Sequence, residues 1–107
     1  DATMKQYKAI MAKYAPNANA NNGLYYYGFA KAHTFVQAMY KAGKNPTRQG
    51  LMNALLSFNE TNPFALPGVR LKTSATDHYI ISHQQPMRYN NGLWVLFGQL
   101  VDGRPRG

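Results

Sequence analysis

The sequence predicts an α+β fold, with three helices followed by short strands and a C-terminal hairpin. Three observations predict it. Apolar residues recur at helical spacing as far as Phe58, the period shortens towards two after about residue 59, and Asn90-Asn91-Gly92 separates two apolar runs in the manner of a tight hairpin turn. Helices first and strands afterwards is the order of an α+β chain read alone.

Each element follows from its residues. Met4, Tyr7, Ile10, Met11 and Tyr14 make one apolar stripe, so residues 2–15 are predicted as an amphipathic helix, with Lys5, Lys8 and Lys13 mostly off the stripe. Pro16 ends it, because the residue before a proline is pushed out of the α region. Residues 16–23 are a polar connector whose Asn22 suits the N-cap of the next helix. Residues 24–42 form the strongest helix, on a stripe of Tyr25, Phe29, Ala32, Val36 and Met39. Gly43 closes it, and Lys41 and Lys44 suit the negative end of its dipole. Leu24, Tyr26, Tyr27, Phe35 and Tyr40 lie off that stripe, which predicts a helix packed on more than one side. Thr47 caps a third helix carried by Leu51, Leu55 and Phe58, although Gly50 inside it costs about 1 kcal/mol against Ala.

Beyond Phe58 the pattern is extended. Residues 59–67 read as a loop with two prolines, residues 69–72 as a strand with one wet face, and residues 73–78 as a turn. Tyr79-Ile80-Ile81 is a candidate buried strand. Met87-Arg88-Tyr89 and Leu93 to Phe97 are the arms of the hairpin, and Asn-Gly supplies the positive φ its turn demands. Residues 102–107 are Gly-rich and basic and predict a frayed tail. Two hairpin strands and one short one are few for a sheet, since a small sheet needs three or more strands with a covered face. The first residue is Asp1, so the chain is expected to be processed or part of something longer, a single partial domain over residues 1–107.

Composition narrows the function classes. A chain of 107 residues holds one domain at most, and 45% hydrophobic with 13% aromatic residues rules out disorder for most of it. The longest apolar stretches, such as Leu93 to Phe97, fall far short of the ~20 residues of a membrane-spanning helix. With no cysteine, disulfides, thiol catalysis and Cys-based metal sites are excluded. Twelve Lys and Arg against four acids give a net charge of +8, which permits polyanion binding. Only 15% of residues are charged, however, so the excess reflects missing acids more than abundant bases, and no nucleic acid is expected as partner.

No catalytic or metal constellation stands out. Asp1, Glu60, Asp77 and Asp102 are scattered and offer no paired carboxylates. Asp77-His78 is the one adjacent acid–base couple, and neighbours on a strand point to opposite faces, so a loop-to-strand junction is the better reading. His33 has no acid or His at i±3 or i±4 and reads as a partly buried, hydrogen-bonded histidine; His78 and His83 fall on opposite faces. No metal and no cofactor is called for, and phosphate-cradling glycine motifs are missing. Arg88-Tyr89 with Trp94 can form an aromatic platform for single-stranded nucleic acid, but a hairpin packing one face on a core has the same pattern and is preferred. Four aromatics in five positions, Tyr25-Tyr26-Tyr27-Gly28-Phe29, surround a helix start, and there a ligand cleft and a buried helix are both open readings.

Taken in order, these segments carry a resemblance. A helix ending in Lys-Tyr, a polar loop, Tyr-x-Tyr-Gly-Phe-Ala-x-Ala opening a long helix, Ala-Gly-Lys-Asn-Pro-Thr-Arg after it, then Leu-Met-Asn-Ala-Leu, Leu-Pro-Gly-Val, an Asp-His pair and Arg-Tyr-Asn-Asn-Gly-Leu-Trp follow one another. The chain thereby resembles, over nearly its whole length, the C-terminal third of the type I periplasmic substrate-binding proteins of branched-chain amino-acid-type ABC transporters. The resemblance implies an α/β two-lobe receptor, not an enzyme, located in the periplasm. It implies a small ligand held between the lobes, an amino acid or similar carboxylate or amide, and a membrane permease that reads lobe closure. By position, the start of the long helix lines the cleft, which points to Leu24, Tyr25 and Tyr26 as ligand-binding residues. The runner-up is a small basic module that binds nucleic acid or another polyanion through the 88–94 hairpin. Apolar residues all round the long helix predict that its surfaces are covered by an N-terminal part of the same protein or by self-association.

Overall fold

The structure, a computed structural model, describes residues 1–104. It is a small α+β arrangement of three helices followed by short antiparallel strands. Helix α1 (Ala2–Tyr14) begins on Asp1, whose carboxylate accepts the Met4 N–H at 2.9 Å and the Thr3 hydroxyl at 2.7 Å. The first residue is thus an N-cap. Of the predicted stripe only Tyr7 is fully buried, and Tyr14 is exposed. The Tyr7 ring sets its edge against Tyr26 at 5.0 Å and Phe29 at 5.2 Å, so α1 is attached to the next helix through one aromatic anchor.

Helix α2 (Gly23–Ala42) starts where Asn22 accepts the Leu24 N–H at 2.9 Å and ends on Gly43, whose φ of 94° needs glycine. The buried seam differs from the expected stripe. Tyr25, Ala32 and Val36 face outward, while Tyr26, Phe29, Ala30, His33, Thr34 and Ala38 face inward. Ala30, Thr34 and Ala38 let the rest of the chain approach the helix closely, and Phe29 packs on Tyr7 and Phe64. Nor is α2 packed on several sides: Leu24, Tyr27, Phe35 and Tyr40 are all exposed.

Helix α3 (Arg48–Leu55) is capped by Thr47, whose hydroxyl accepts the Gly50 N–H at 2.9 Å. A Cβ at Gly50 would lie 3.1 Å from that hydroxyl oxygen, so glycine keeps the cap uncrowded. Ala54 and Phe58 point inward, and Phe58 joins Ala38 and Leu71 in the central cluster, with Leu51, Leu55 and Ile80 around it.

Strand β1 (Asn59–Thr61) pairs antiparallel with β2 (Arg70–Lys72), Glu60 opposite Leu71. Residues 59–61 were expected in a loop, and Asn-Glu-Thr carries little intrinsic strand signal. The partner imposes the strand instead: Arg70 clasps Asn59 by its side-chain oxygen and its carbonyl, both at 2.7 Å. Thr73 continues the join. Its hydroxyl donates to the Leu55 carbonyl at 2.6 Å and accepts the Phe58 N–H at 2.9 Å. The expected strand at residues 79–81 does not form; Tyr79 is 81% exposed, and Ile80 alone turns into the core, its carbonyl accepting the Lys72 N–H.

The remaining strands build one long arm. β3 (His83–Gln84) pairs with β6 (Val101–Asp102), and further out β4 (Met87–Asn90) pairs with β5 (Leu93–Leu96). The Phe97 N–H to the Pro86 carbonyl extends the outer ladder, and Gly98, at φ 65°, lies where two extra residues on the return strand shift the register between the two ladders. At the tip Asn91 and Gly92 have φ of 48° and 85°, the pair of positive values expected of Asn-Gly. At the base, residues 102–104 are held rather than frayed: Gly103 donates to the Ser82 carbonyl, and Arg104 reaches Asp77 at 2.9 Å and the carbonyls of Lys72 and Tyr79. Residues 105–107 of the expected tail lie outside the described residues.

The strands form three separate two-stranded ladders. The molecule measures 50 × 43 × 19 Å, and its radius of gyration is 16.3 Å, against roughly 13 Å for a compact domain of this length.

Candidate functional site

A cavity of about 620 Å³ lies between the inner face of α2 and the segment from Leu55 to His83. Tyr26, Ala30 and Thr34 supply the helical wall, and Phe64, Leu71 and Ile80 the opposite one. Asn62 ties the two walls together. Its amide donates to the Ala30 carbonyl at 2.9 Å and the Thr34 hydroxyl at 3.0 Å, while its oxygen accepts the Phe64 N–H at 2.8 Å. All three contacts are made from a side chain that is buried, which is the condition under which a polar group adds specificity rather than cost. The lining is therefore mainly apolar, with few free polar groups. His83 brings a buried Nδ1 that has no partner, and Lys31 stands over the Tyr27 ring at 4.9 Å.

The three residues pointed to at the start of the long helix separate. Tyr26 lines the cavity and touches Tyr7. Leu24 and Tyr25 stand on the outer surface, 79% and 48% exposed. The Leu24 N–H is already taken by Asn22, and those of Tyr25 and Tyr26 turn to the Asn22 carbonyl, so this helix start offers a ligand apolar surface more than free donors.

The histidines and acids stay apart. His33 is half-buried with its ring edge on Phe64 at 5.4 Å, and its Nδ1 has no partner, unlike the hydrogen-bonded histidine expected there. His78 sits in the turn, its Nε2 3.1 Å from the Ala75 carbonyl. Asp77 is engaged by Arg104 and by the Tyr79 N–H rather than by its neighbour His78. Asp102 has its carboxyl held below the usual carboxylate range, first by the Ser82 hydroxyl and then by the Arg104 backbone N–H.

The hairpin differs from both readings of it. Cross-strand pairing sets Tyr89 opposite Trp94 and Met87 opposite Leu96, so these four share one face. Arg88 pairs with Val95 on the other face and lies over the Phe97 ring at 5.2 Å. The arginine is thus not interleaved with the Tyr89–Trp94 aromatics. Nor is either face packed on a core: every residue from Met87 to Gln99 is exposed. The sequence pattern identified the hairpin, whose second face also carries the exposed Leu93, Val95 and Phe97.

Comparison of the chain with protein-family models, with curated proteins and with solved structures gives no match.

Proposed function

We propose that the chain is the C-terminal portion of a periplasmic solute-binding protein of the branched-chain amino-acid ABC uptake type, and that it supplies one wall of a ligand cleft. It acts as a receptor, not an enzyme, and its partners are a small amino acid, carboxylate or amide and a membrane permease. The observation that carries this reading is the start of α2. Leu24 and Tyr25 project there as an apolar pair from a capped helix, both exposed among the described residues. A wall without a facing wall is what one half of an inter-lobe cleft presents. The ordered segments from Tyr25 to Trp94 add the family resemblance. In this role Leu24 and Tyr25 cover the apolar part of the ligand, and Tyr26, anchored on Tyr7, holds the helix start in place.

Two measurements test it. Titration calorimetry of the chain with amino acids, amides and aromatic acids yields no stoichiometric heat, because a cleft needs both walls; a micromolar signal means that the site is complete here and the reading fails. In the longer polypeptide that the reading requires, with roughly 250 further residues of α/β pattern, Tyr25→Ala weakens ligand binding and changes stability by less than about 1 kcal/mol. A large loss of stability with unchanged affinity overturns the assignment of Tyr25.

A further inference from the structure

Two of the apolar surfaces exposed among the described residues lie on the arm and on α2. One is the arm face built by Met87, Tyr89, Trp94 and Leu96, all between 47% and 65% exposed. The other is the outer side of α2, where Phe35, at the rim of the cavity, Val36 and Tyr40 fall within about half a turn of the helical wheel and are all exposed. None of these seven side chains is charged. Within one copy the two faces do not cover each other.

We propose that two copies of the chain associate about a two-fold axis, each laying the apolar face of its arm on the outer face of the other's α2. Area is the first argument. A compact monomer of 12.0 kDa exposes about 6,000 Å². This chain exposes 8422 Å², an excess of about 2,400 Å². A stable interface takes about 800 Å² from each partner, so the excess is ample for one. The second argument is symmetry. Helix-on-helix pairing leaves the arms bare, and arm-on-arm pairing leaves the helices bare. The reciprocal exchange covers both surfaces with two identical contacts and closes the assembly at two copies. It also gives the arm what a two-stranded ribbon lacks in water, a covering layer on its apolar face.

Charge sets the salt dependence. Each copy carries +8, so the copies repel, and screening favours their union. Association therefore tightens as salt rises from about 50 to 500 mM. Binding of a polyanion runs the other way, because neutralised phosphates release counterions.

The test is sedimentation velocity on the 107-residue chain. Expected are a dimer at tens of micromolar, tightening with salt, and a loss of at least about tenfold in affinity for either Trp94→Lys or Phe35→Lys. Tyr79→Lys, an exposed change on neither face, leaves the dimer intact. A folded monomer at about 100 µM overturns the proposal and assigns the two faces to another part of a longer polypeptide. So does open-ended aggregation, or a dimer that neither face variant weakens. Should a lysine variant unfold, cross-linking replaces it. The chain has no cysteine, so a mixture of the Leu96→Cys and Phe35→Cys single variants separates bonds between unlike variants from bonds between like ones. Disulfide-linked dimers of unlike variants that keep the native circular dichroism support the exchange; bonds between like variants alone, or no bond, overturn it.

Discussion

The segment from α2 through β2 and the arm from Ser82 to Gly103 are both small, yet they are held together differently. In the first, apolar and polar contacts reinforce one another. Phe58 and Leu71 fill the centre, and the buried Asn62 and Thr73 side chains fasten loop and strand to the helices. In the outer arm, from Met87 to Gln99, backbone pairing and one aromatic pair, Tyr89 on Trp94 at 5.6 Å, operate on a ribbon with both faces wet. The difference shows that satisfied hydrogen bonds do not make a core. The arm satisfies its turn, its register and its base, but it lacks a layer. Among the described residues seven apolar side chains are buried and twenty large ones are exposed, and eight of the twenty lie from Met87 to Val101.

The largest expected effect exploits that contrast. Phe58→Ala removes a side chain that is 1% exposed and costs about 3–5 kcal/mol, as large aromatic truncations do. Trp94→Ala, at 65% exposure, costs less than about 1 kcal/mol when measured on the monomer. Urea unfolding monitored by circular dichroism at low protein concentration checks both. Equal costs would mean that the arm is covered within a single copy, and the contrast would be lost.

A smaller effect sharpens the account of the first region. Asn62→Ala strands the Phe64 N–H, which is buried, and removes the tie to the Ala30 carbonyl, for an expected loss of about 1–3 kcal/mol. Thr73→Val, similar in shape, leaves the Phe58 N–H without its acceptor and costs an amount in the same range. If either variant unfolds like the wild type, polar fastening is not what distinguishes this region from the arm.

Local signals made much of this legible. Asn22 and Thr47 as caps, Gly43 as helix stop and Asn91-Gly92 as hairpin turn are decided by neighbouring backbone geometry, and the residues announce it. The face of α2 was not legible. Its apolar residues surround it, so hydrophobic spacing pointed to Tyr25 and Val36, while the inner side was chosen by Asn62, a polar residue far along the chain. β1 was missed for a related reason, since its strand character comes from Arg70 and the β2 backbone. At the candidate site, Tyr26 and Tyr27 of the aromatic cluster at residues 25–29 line the cavity, while Tyr25 stands outside it. Which of the cluster's tyrosines turns inward depended on Tyr7, a contact between two helices that periodicity within either one does not encode.

At the base of the arm the expected effect is smaller again. Arg104 joins Asp77 in a partly buried ion pair, their side chains 20% and 28% exposed, and caps the carbonyls of Lys72 and Tyr79, so it links the arm to the strand next to the core. Arg104→Ala is expected to cost about 1 kcal/mol or less, and amide exchange should quicken around Ser82 and Gly103 before it quickens in α2. Simultaneous quickening everywhere would merge the two regions into one cooperative unit.

The smallest effect is a pH dependence confined to the arm. Asp102 accepts the Ser82 hydroxyl and the Arg104 N–H, and these bonds hold its carboxyl below the usual carboxylate range. A carboxyl whose folded pKa is depressed stabilises the folded state above its unfolded pKa, and that contribution is lost as pH falls through the folded value. The window therefore lies at and below the ordinary carboxylate range, and neutral pH leaves the contribution whole. Protonation removes the acceptor from two bonds at the β3–β6 end of the arm, where His83 is paired with Asp102. Acidification should loosen the Gly103 amide, bonded to the Ser82 carbonyl, while amides around Phe58 hold. In Asp102→Asn the protection of the same amide, its rate relative to the intrinsic rate at each pH, should stay constant across this window. Exchange measured by NMR at stepped pH separates the outcomes: if the Gly103 response persists in Asp102→Asn, another acid governs the base of the arm.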